Sequence, residues 1–228
     1  QVLGDLLLAG LVVVAVEVDG VAIDLERNLL LLVLGQLANP GVVLVRVVDH
    51  DDLLGGAQLD GGGDEVENLV VLDTKHGRIV VEVFEDVPVH RANFLYKVYR
   101  RYFDPAEFTR VVPDFVVQGG NSEEERPQQL RFLIGQHTLP AEFREDRVHV
   151  RGALAMSRSY NDNPDKRSSG YDFYIVTGRK IGAEELGRIQ RDAGRTYTAA
   201  QAQAYATQGG APHLDGEHTV FGRVVEGM

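Results

Sequence analysis

The sequence predicts a mainly β fold covered by helices, and three observations predict it. Residues 68–84, NLVVLDTKHGRIVVEVF, read as two β-rich arms joined by a turn at Lys75-His76-Gly77. At 88–103, PVHRANFLYKVYRRYF places Phe94, Leu95, Val98 and Tyr102 on one side of a helix, as a helix lying on a sheet requires. Pro88 falls in its first turn, where a missing N–H leaves no bond unmade. Short apolar runs at 108–118, 152–157, 172–177 and 219–225 have the length and composition of further strands.

The chain has 228 residues, enough for one large domain or for a domain of ~150 residues with an appendage. Its composition changes at GGGDE, 61–65. Residues 1–66 hold 11 acidic side chains against Arg27 and Arg46, and so carry −9 of the net charge of −11. Residues 1–70 contain no Ser, Thr, Lys, Phe, Tyr, Trp, Met or Cys, a composition that gene-encoded folded domains rarely have. The expected division is an acidic N-terminal segment of unclear fold at 1–66 and a second domain at 67–228. In the first, LLLAGLVVVAV at 6–16 reads as a buried strand. VVVAVEVDGVAI reads as a hairpin turning at Asp19-Gly20, and LERNLLLLVLGQLANPG as a short helix stopped at Asn39-Pro40. The 6–16 run is too short to span a bilayer, and Asp5 precedes it where a secretory leader carries positive charge.

In the second domain, the strand at 172–177 is separated from the one at 219–225 by an insertion at 180–208. Its core, EELGRIQRDAGRTYTAAQAQAYATQGG, is alanine-rich enough for one or two helices. Glu184, Glu185, Arg188, Arg191 and Gln201 give it a polar face, predicting a solvated decoration or a partner surface.

Several function classes are disfavoured. The acidic balance argues against nucleic acid as the main partner, because phosphate binding needs a basic face. Without cysteine the chain forms no disulfide and no cysteine-ligated zinc site. That leaves the compartment open, since a cysteine-free chain suits cytoplasm and periplasm alike; a removed leader or a start that lies ahead of Gln1 would each explain the first residue, and a periplasmic or otherwise extracytoplasmic setting is the expectation. Neither GxSxG nor HExxH occurs.

The informative stretch is FTRVVPDFVVQGG, 108–120, which sets Arg110 and Gln118 among apolar and aromatic residues and stops at a glycine pair. An isolated arginine on a strand is ordinarily a solvated surface group. Here the two polar residues are eight apart, an even separation that fits one face of neighbouring strand segments if a turn at Pro113-Asp114 keeps phase. Together with HRANF (90–94), GALAMS (152–157), SSGYDFYIVTG (168–178) and HLDGEHTVFGRVVEGM (213–228), this stretch resembles the cyclophilin peptidyl-prolyl isomerases over about residues 68–228. PAEF, NPDKRSSG and the spacer before GGAPHLDG resemble Bacteroidetes-like bacterial members in particular.

The resemblance implies a closed antiparallel eight-stranded barrel capped by helices, completed by a further helix and a closing strand beyond Met228. It implies prolyl cis-trans isomerisation in proline-containing protein clients, assisting their folding. Rotation about an X-Pro bond faces a barrier of about 18–20 kcal/mol, because nitrogen shares its lone pair with the carbonyl. A donor aimed at the prolyl nitrogen of the twisted amide draws that pair out of conjugation and favours the transition state over both planar forms. No nucleophile, metal or cofactor is required. By resemblance Arg110 is the donor, and Gln118 orients it and bonds the substrate backbone. Phe115, Tyr174 and Leu214 form the socket for the proline ring, with Val116 where methionine is usual and His218 at the rim. Ser157 and Arg158 lie on the strand that binds substrate backbone, where Asp172 replaces a glutamine. His213 stands where many members have tryptophan, which predicts weak binding of cyclosporin-type macrocycles. Asp215, between His213 and His218, reads as part of an LDG turn rather than as a metal ligand. A second reading, suggested by Asp172, His213 and the insertion, is a cyclophilin-like binding module or a subunit of a larger assembly that turns over little.

Overall fold

The computed structural model describes residues 44–47, 68–104, 106–121, 129 and 131–228. The strand, hairpin and helix expected within 6–41 lie outside them. Strand β1 is Leu44–Val47. The hairpin at 68–84 forms as β2 (Leu69–Thr74) and β3 (Gly77–Val83), in register from Leu69 against Glu82 to Thr74 against Gly77.

Helix α1, Pro88–Tyr99, carries proline at its start. No local side chain caps it; the Glu142 carboxylate does, accepting the Val89 and His90 N–H groups at 3.1 and 2.9 Å. A negative charge at that end also complements the helix dipole. Phe94 on the inner face is fully buried, edge-on to Phe173 at 5.5 Å and 5.2 Å from Phe221. Truncating it to alanine would cost about 3–5 kcal/mol.

The run read as a single strand at 108–118 is two strands, β4 (Glu107–Val112) and β5 (Val116–Asn121). Pro113 offers no N–H to a ladder and Asp114 adopts φ 58°, so the chain reverses between them. Strands β6 (Thr138–Leu139), β7 (Ala153–Met156), β8 (Ser168–Ser169), β9 (Phe173–Val176) and β10 (Val220–Glu226) complete the set, with β6 and β8 forming a separate short ladder. The main sheet runs β1-β2-β3-β10-β7-β9-β5-β4, with every neighbouring pair antiparallel.

The closed eight-stranded barrel is corrected to an open, curled sheet, a half-barrel with helices. Residues 69–226 supply only seven of its strands; the eighth is β1, which takes up the outer edge of β2, and β4 has no strand beyond it among the described residues.

The insertion forms two helices, α2 (Ala183–Ala193) and α3 (Ala199–Thr207). Helix α2 ends at Gly194, which takes φ 60°, and α3 begins on a reciprocal cap between Thr198 and Gln201. Glu184, Arg188 and Arg191 are exposed, as the polar face predicts. Glu185 and Gln201 are half-buried, the first paired with Arg179 at 2.6 Å, the second donating to the Glu145 carbonyl at 2.7 Å. The inner side packs Leu186, Tyr197 and Tyr205 against Val148 and Ile181, so the insertion has a small core of its own. Among the described residues no helix is long and apolar enough to cross a membrane.

Candidate active site

Strand register brings the motif side chains together. Arg110 of β4 pairs with Gln118 of β5, Gln118 with Tyr174 of β9, and Tyr174 with Ala155 of β7. Directly opposed residues of an antiparallel ladder share a face. One row across the sheet therefore carries a guanidinium, an amide and a phenol to a cleft of about 920 Å³. The glycine pair after Gln118 lets β5 run this close to its neighbours. Gly120 has φ 94°, and a Cβ on it would lie 2.1 Å from the Tyr171 carbonyl oxygen; one on Gly119 would lie 3.0 Å from the Phe108 ring.

Of the site residues expected from the sequence, all but His213 line the cleft. His213 is exposed and stacks on Phe115 at 5.4 Å, so it supports the socket from outside. Val116, Tyr174 and Leu214 are buried and form the apolar floor, while Phe115 is half-buried at the edge. Arg110 is exposed. Among the described residues neither the Arg110 nor the Gln118 side chain has a hydrogen-bond partner, so the expected orienting bond between them is not formed; the ladder alone sets them side by side.

The expected substrate-backbone strand divides in two. Ser157 is engaged within the fold, its N–H donating to the Asp172 carbonyl at 2.8 Å and its carbonyl accepting from Ser169 at 2.7 Å. The Arg158 side chain is engaged as well, donating to the Glu217 carbonyl and carboxylate at 2.6 Å each and lying 4.1 Å over the Tyr160 ring. Its backbone N–H and C=O have no partner among the described residues and are available to a peptide.

His218 is buried at 8 % exposure and its ring is fixed at both nitrogens. Nδ1–H donates to the Met156 carbonyl at 3.2 Å, and the Tyr160 hydroxyl donates to Nε2 at 2.8 Å. Burial drives its pKa down to about 4, so the rim histidine is a neutral imidazole near pH 7. Asp172 is shifted the other way. Burial raises its carboxyl to about 6, partly offset by the Arg131 charge.

Sequence reasoning quoted HRANF as a block without a role, and the structure supplies one. His90 bonds Glu142 through Nδ1 at 2.6 Å and Ser168 through Nε2 at 2.9 Å, while Asn93 donates to the Gly170 carbonyl at 2.9 Å. Asn93 Oδ1 also accepts from Lys97 at 2.5 Å and from His137, a cleft residue, at 2.9 Å. Helix α1 thus ties down the segments that form one wall. Tyr160 and His149 were missed too: Tyr160 lines the cleft, and His149 Nε2 lies 3.0 Å from the Tyr174 hydroxyl beneath it. Asp215, weighed as a possible metal ligand with His213 and His218, instead bonds His149 Nδ1 at 2.7 Å.

Comparison with known proteins gives a consistent result. The family model described as cyclophilin type peptidyl-prolyl cis-trans isomerase/CLD matches residues 69–228. A Streptococcus pyogenes protein named as a bifunctional phosphatase/peptidyl-prolyl cis-trans isomerase is 34% identical over 158 residues, 69% of this chain and 31% of that protein. A Staphylococcus epidermidis protein named as a peptidyl-prolyl cis-trans isomerase is 30% identical over 171 residues, covering 75% of this chain and 82% of that one. Among solved structures, a cyclophilin-type isomerase of Cryptosporidium parvum is similar at 21% identity and a TM-score of 0.47, covering 70% of this chain and 78% of that one.

Proposed function

The chain belongs to the cyclophilin-type peptidyl-prolyl cis-trans isomerases, and from that premise we propose that its cleft turns X-Pro bonds with Arg110 as the donor to the prolyl nitrogen. The observation that carries this assignment is the register row of Arg110, Gln118 and Tyr174 on one face of the sheet. A proline ring seated on Val116, Tyr174 and Leu214 has its amide beneath the exposed guanidinium. In the planar amide the prolyl nitrogen is a poor acceptor; in the twisted one its lone pair is localised and accepts from Arg110. The interaction strengthens only as the bond rotates, which is what lowers the barrier. Gln118 and the free backbone groups of Arg158 hold the flanking peptide, so that rotation occurs about the prolyl bond rather than of the whole chain. The neutral His218, locked between Met156 and Tyr160, contributes shape and excludes water rather than moving a proton.

Clients are proline-containing proteins whose folding the enzyme assists, in an extracytoplasmic compartment that the absence of cysteine permits. Placement near the Bacteroidetes-like bacterial members rests on PAEF and NPDKRSSG. The test of the site is Arg110→Ala assayed on a proline-containing chromogenic peptide. Turnover is expected to fall ~10²–10³-fold. Wild-type turnover would overturn the role given to Arg110. Arg110→Lys is expected to recover little, because a point charge does not reproduce a planar fork of donors.

A further inference from the structure

We propose that the insertion helices set the position of the cleft residue Tyr174 through a buried relay of Tyr197, Tyr205, Asp215 and His149, a proposal that rests on the cleft being the prolyl site. The Asp215 side chain is wholly buried and is met by four donors. The His149 N–H and Nδ1–H bond its Oδ1 at 2.8 and 2.7 Å; the Tyr197 and Tyr205 hydroxyls bond its Oδ2 at 2.8 and 2.5 Å. Burial opposes a charge there, but the bonds from His149 and Tyr205 outweigh it and hold the carboxyl below its ordinary range. An ionised carboxylate fixes the histidine tautomer. Nδ1 carries the proton that faces Asp215, and in neutral imidazole that makes Nε2 the acceptor for the Tyr174 hydroxyl at 3.0 Å.

A buried phenol without a partner is costly, so the Tyr174 ring stands where His149 holds its hydroxyl. The two rings stack 6.1 Å apart at 18°, and the other face of the cleft floor continues to His218, 5.6 Å from Tyr174 at 76°. Tyr205 is fully buried and Tyr197 nearly so, and Tyr197 also reaches the Pro212 carbonyl at 3.0 Å, in the short turn Pro212–Leu214 that bears the socket residue Leu214. The insertion is therefore a support of the pocket as well as an outer surface. Tyr197, Tyr205, Asp215 and His149 are positioning residues: they touch no substrate and act through Tyr174.

The experiment is a double-mutant cycle on the full chain, measuring peptide turnover and thermal midpoint for wild type, Tyr205→Phe, Tyr174→Phe and the double variant, with Arg110→Ala alongside. Tyr205→Phe is expected to lower kcat/KM about 3- to 10-fold, mostly through KM, since a displaced socket weakens ground and transition states alike. In the Tyr174→Phe background, where the relay no longer ends in a hydroxyl, the same change is expected to cost nothing in kcat/KM while still lowering the thermal midpoint. An equal loss of kcat/KM in both backgrounds, or none in either, overturns the relay. If Tyr205→Phe does not fold, Tyr197→Phe takes its place in the cycle with the same two outcomes. Arg110→Ala separates this failure from the other: an inactive Arg110→Ala with additive tyrosine effects removes the relay alone, whereas an active one removes the assignment of the cleft.

Discussion

The cleft joins two regions built on opposite terms. At its mouth Arg110 and Gln118 stand side by side, and neither side chain bonds any described residue. At its floor Tyr174, His149, Asp215, Tyr197 and Tyr205 are buried, and each polar end has a partner. The difference follows from what each must do. A donor that acts on a rotating amide has to meet a group that moves, whereas the socket that receives the proline ring must stay in place while the amide turns. Under the role proposed for Arg110, stability is concentrated in the second region and transition-state recognition in the first.

The largest effect expected from breaking this contrast is on stability, at Asp215. Asp215→Ala removes the acceptor of four buried donors, of which Tyr197 alone keeps another in the Pro212 carbonyl, and loss of one partner of a buried charged network costs about 3–5 kcal/mol. Urea unfolding reads it directly, and a loss under ~1 kcal/mol would show that the floor is not held by this carboxylate. Arg110→Ala is the mirror case. It is expected to stay within about 0.5 kcal/mol of wild-type stability while activity falls by orders of magnitude, because an exposed, unbonded guanidinium supports nothing in the fold.

A second contrast, across the same cleft, is legible in pH. His218 is held near pKa 4, below its ordinary 6.5, by burial foremost, so it contributes stability above pH 6.5 that is lost as pH falls through about 4. Asp172, raised to about 6 from 3.8 by burial, contributes stability below pH 3.8 that is lost as pH rises through about 6. Each shift is worth about 3 kcal/mol, with opposite sign over nearly the same window, so the two largely cancel. Asp172→Asn removes one side of the balance. Relative to wild type it is expected to gain up to about 3 kcal/mol between pH 4 and pH 7, and to match wild type below pH 4. A flat difference between the two proteins across that range would mean that Asp172 titrates as an ordinary surface carboxylate.

How much of this was legible in the sequence depended on whether the determining contact was local. The hairpin at 68–84 and helix α1 follow from alternation, turn residues and Pro88, all within a few positions of one another. Arg110 and Gln118 were legible because the turn that pairs them lies between them in the sequence. The sheet's open edge was not, since it depends on β1 pairing with β2 across residues whose composition gave no strand signal. Nor was the floor: Asp215 and His149 are 66 positions apart, and the nearby His213 and His218 offered a closer but misleading grouping. Tyr197 and Tyr205 sit among polar residues in an alanine-rich stretch, where only α2 and α3 packing inward shows which faces are buried.

The smallest effect expected concerns the edge between the two regions, where His213 lies. The histidine stacks on Phe115 from outside the cleft, at 5.4 Å and 24°, and partial burial against that ring lowers its pKa, so near pH 7 it is mostly a neutral, flat cover for the phenyl ring. An indole there would cover more of Phe115 and add an N–H donor at the rim, both useful to a large apolar macrocycle and neither needed by a short peptide. His213→Trp is therefore expected to tighten a cyclosporin-type macrocycle by about 3- to 10-fold, in line with roughly 1 kcal/mol for the added apolar area, and to leave peptide turnover within twofold of wild type. Calorimetric titration of both proteins with the macrocycle decides it. Equal affinities would mean that the exposed ring at 213 stands clear of the bound macrocycle, and that the socket ends at Phe115.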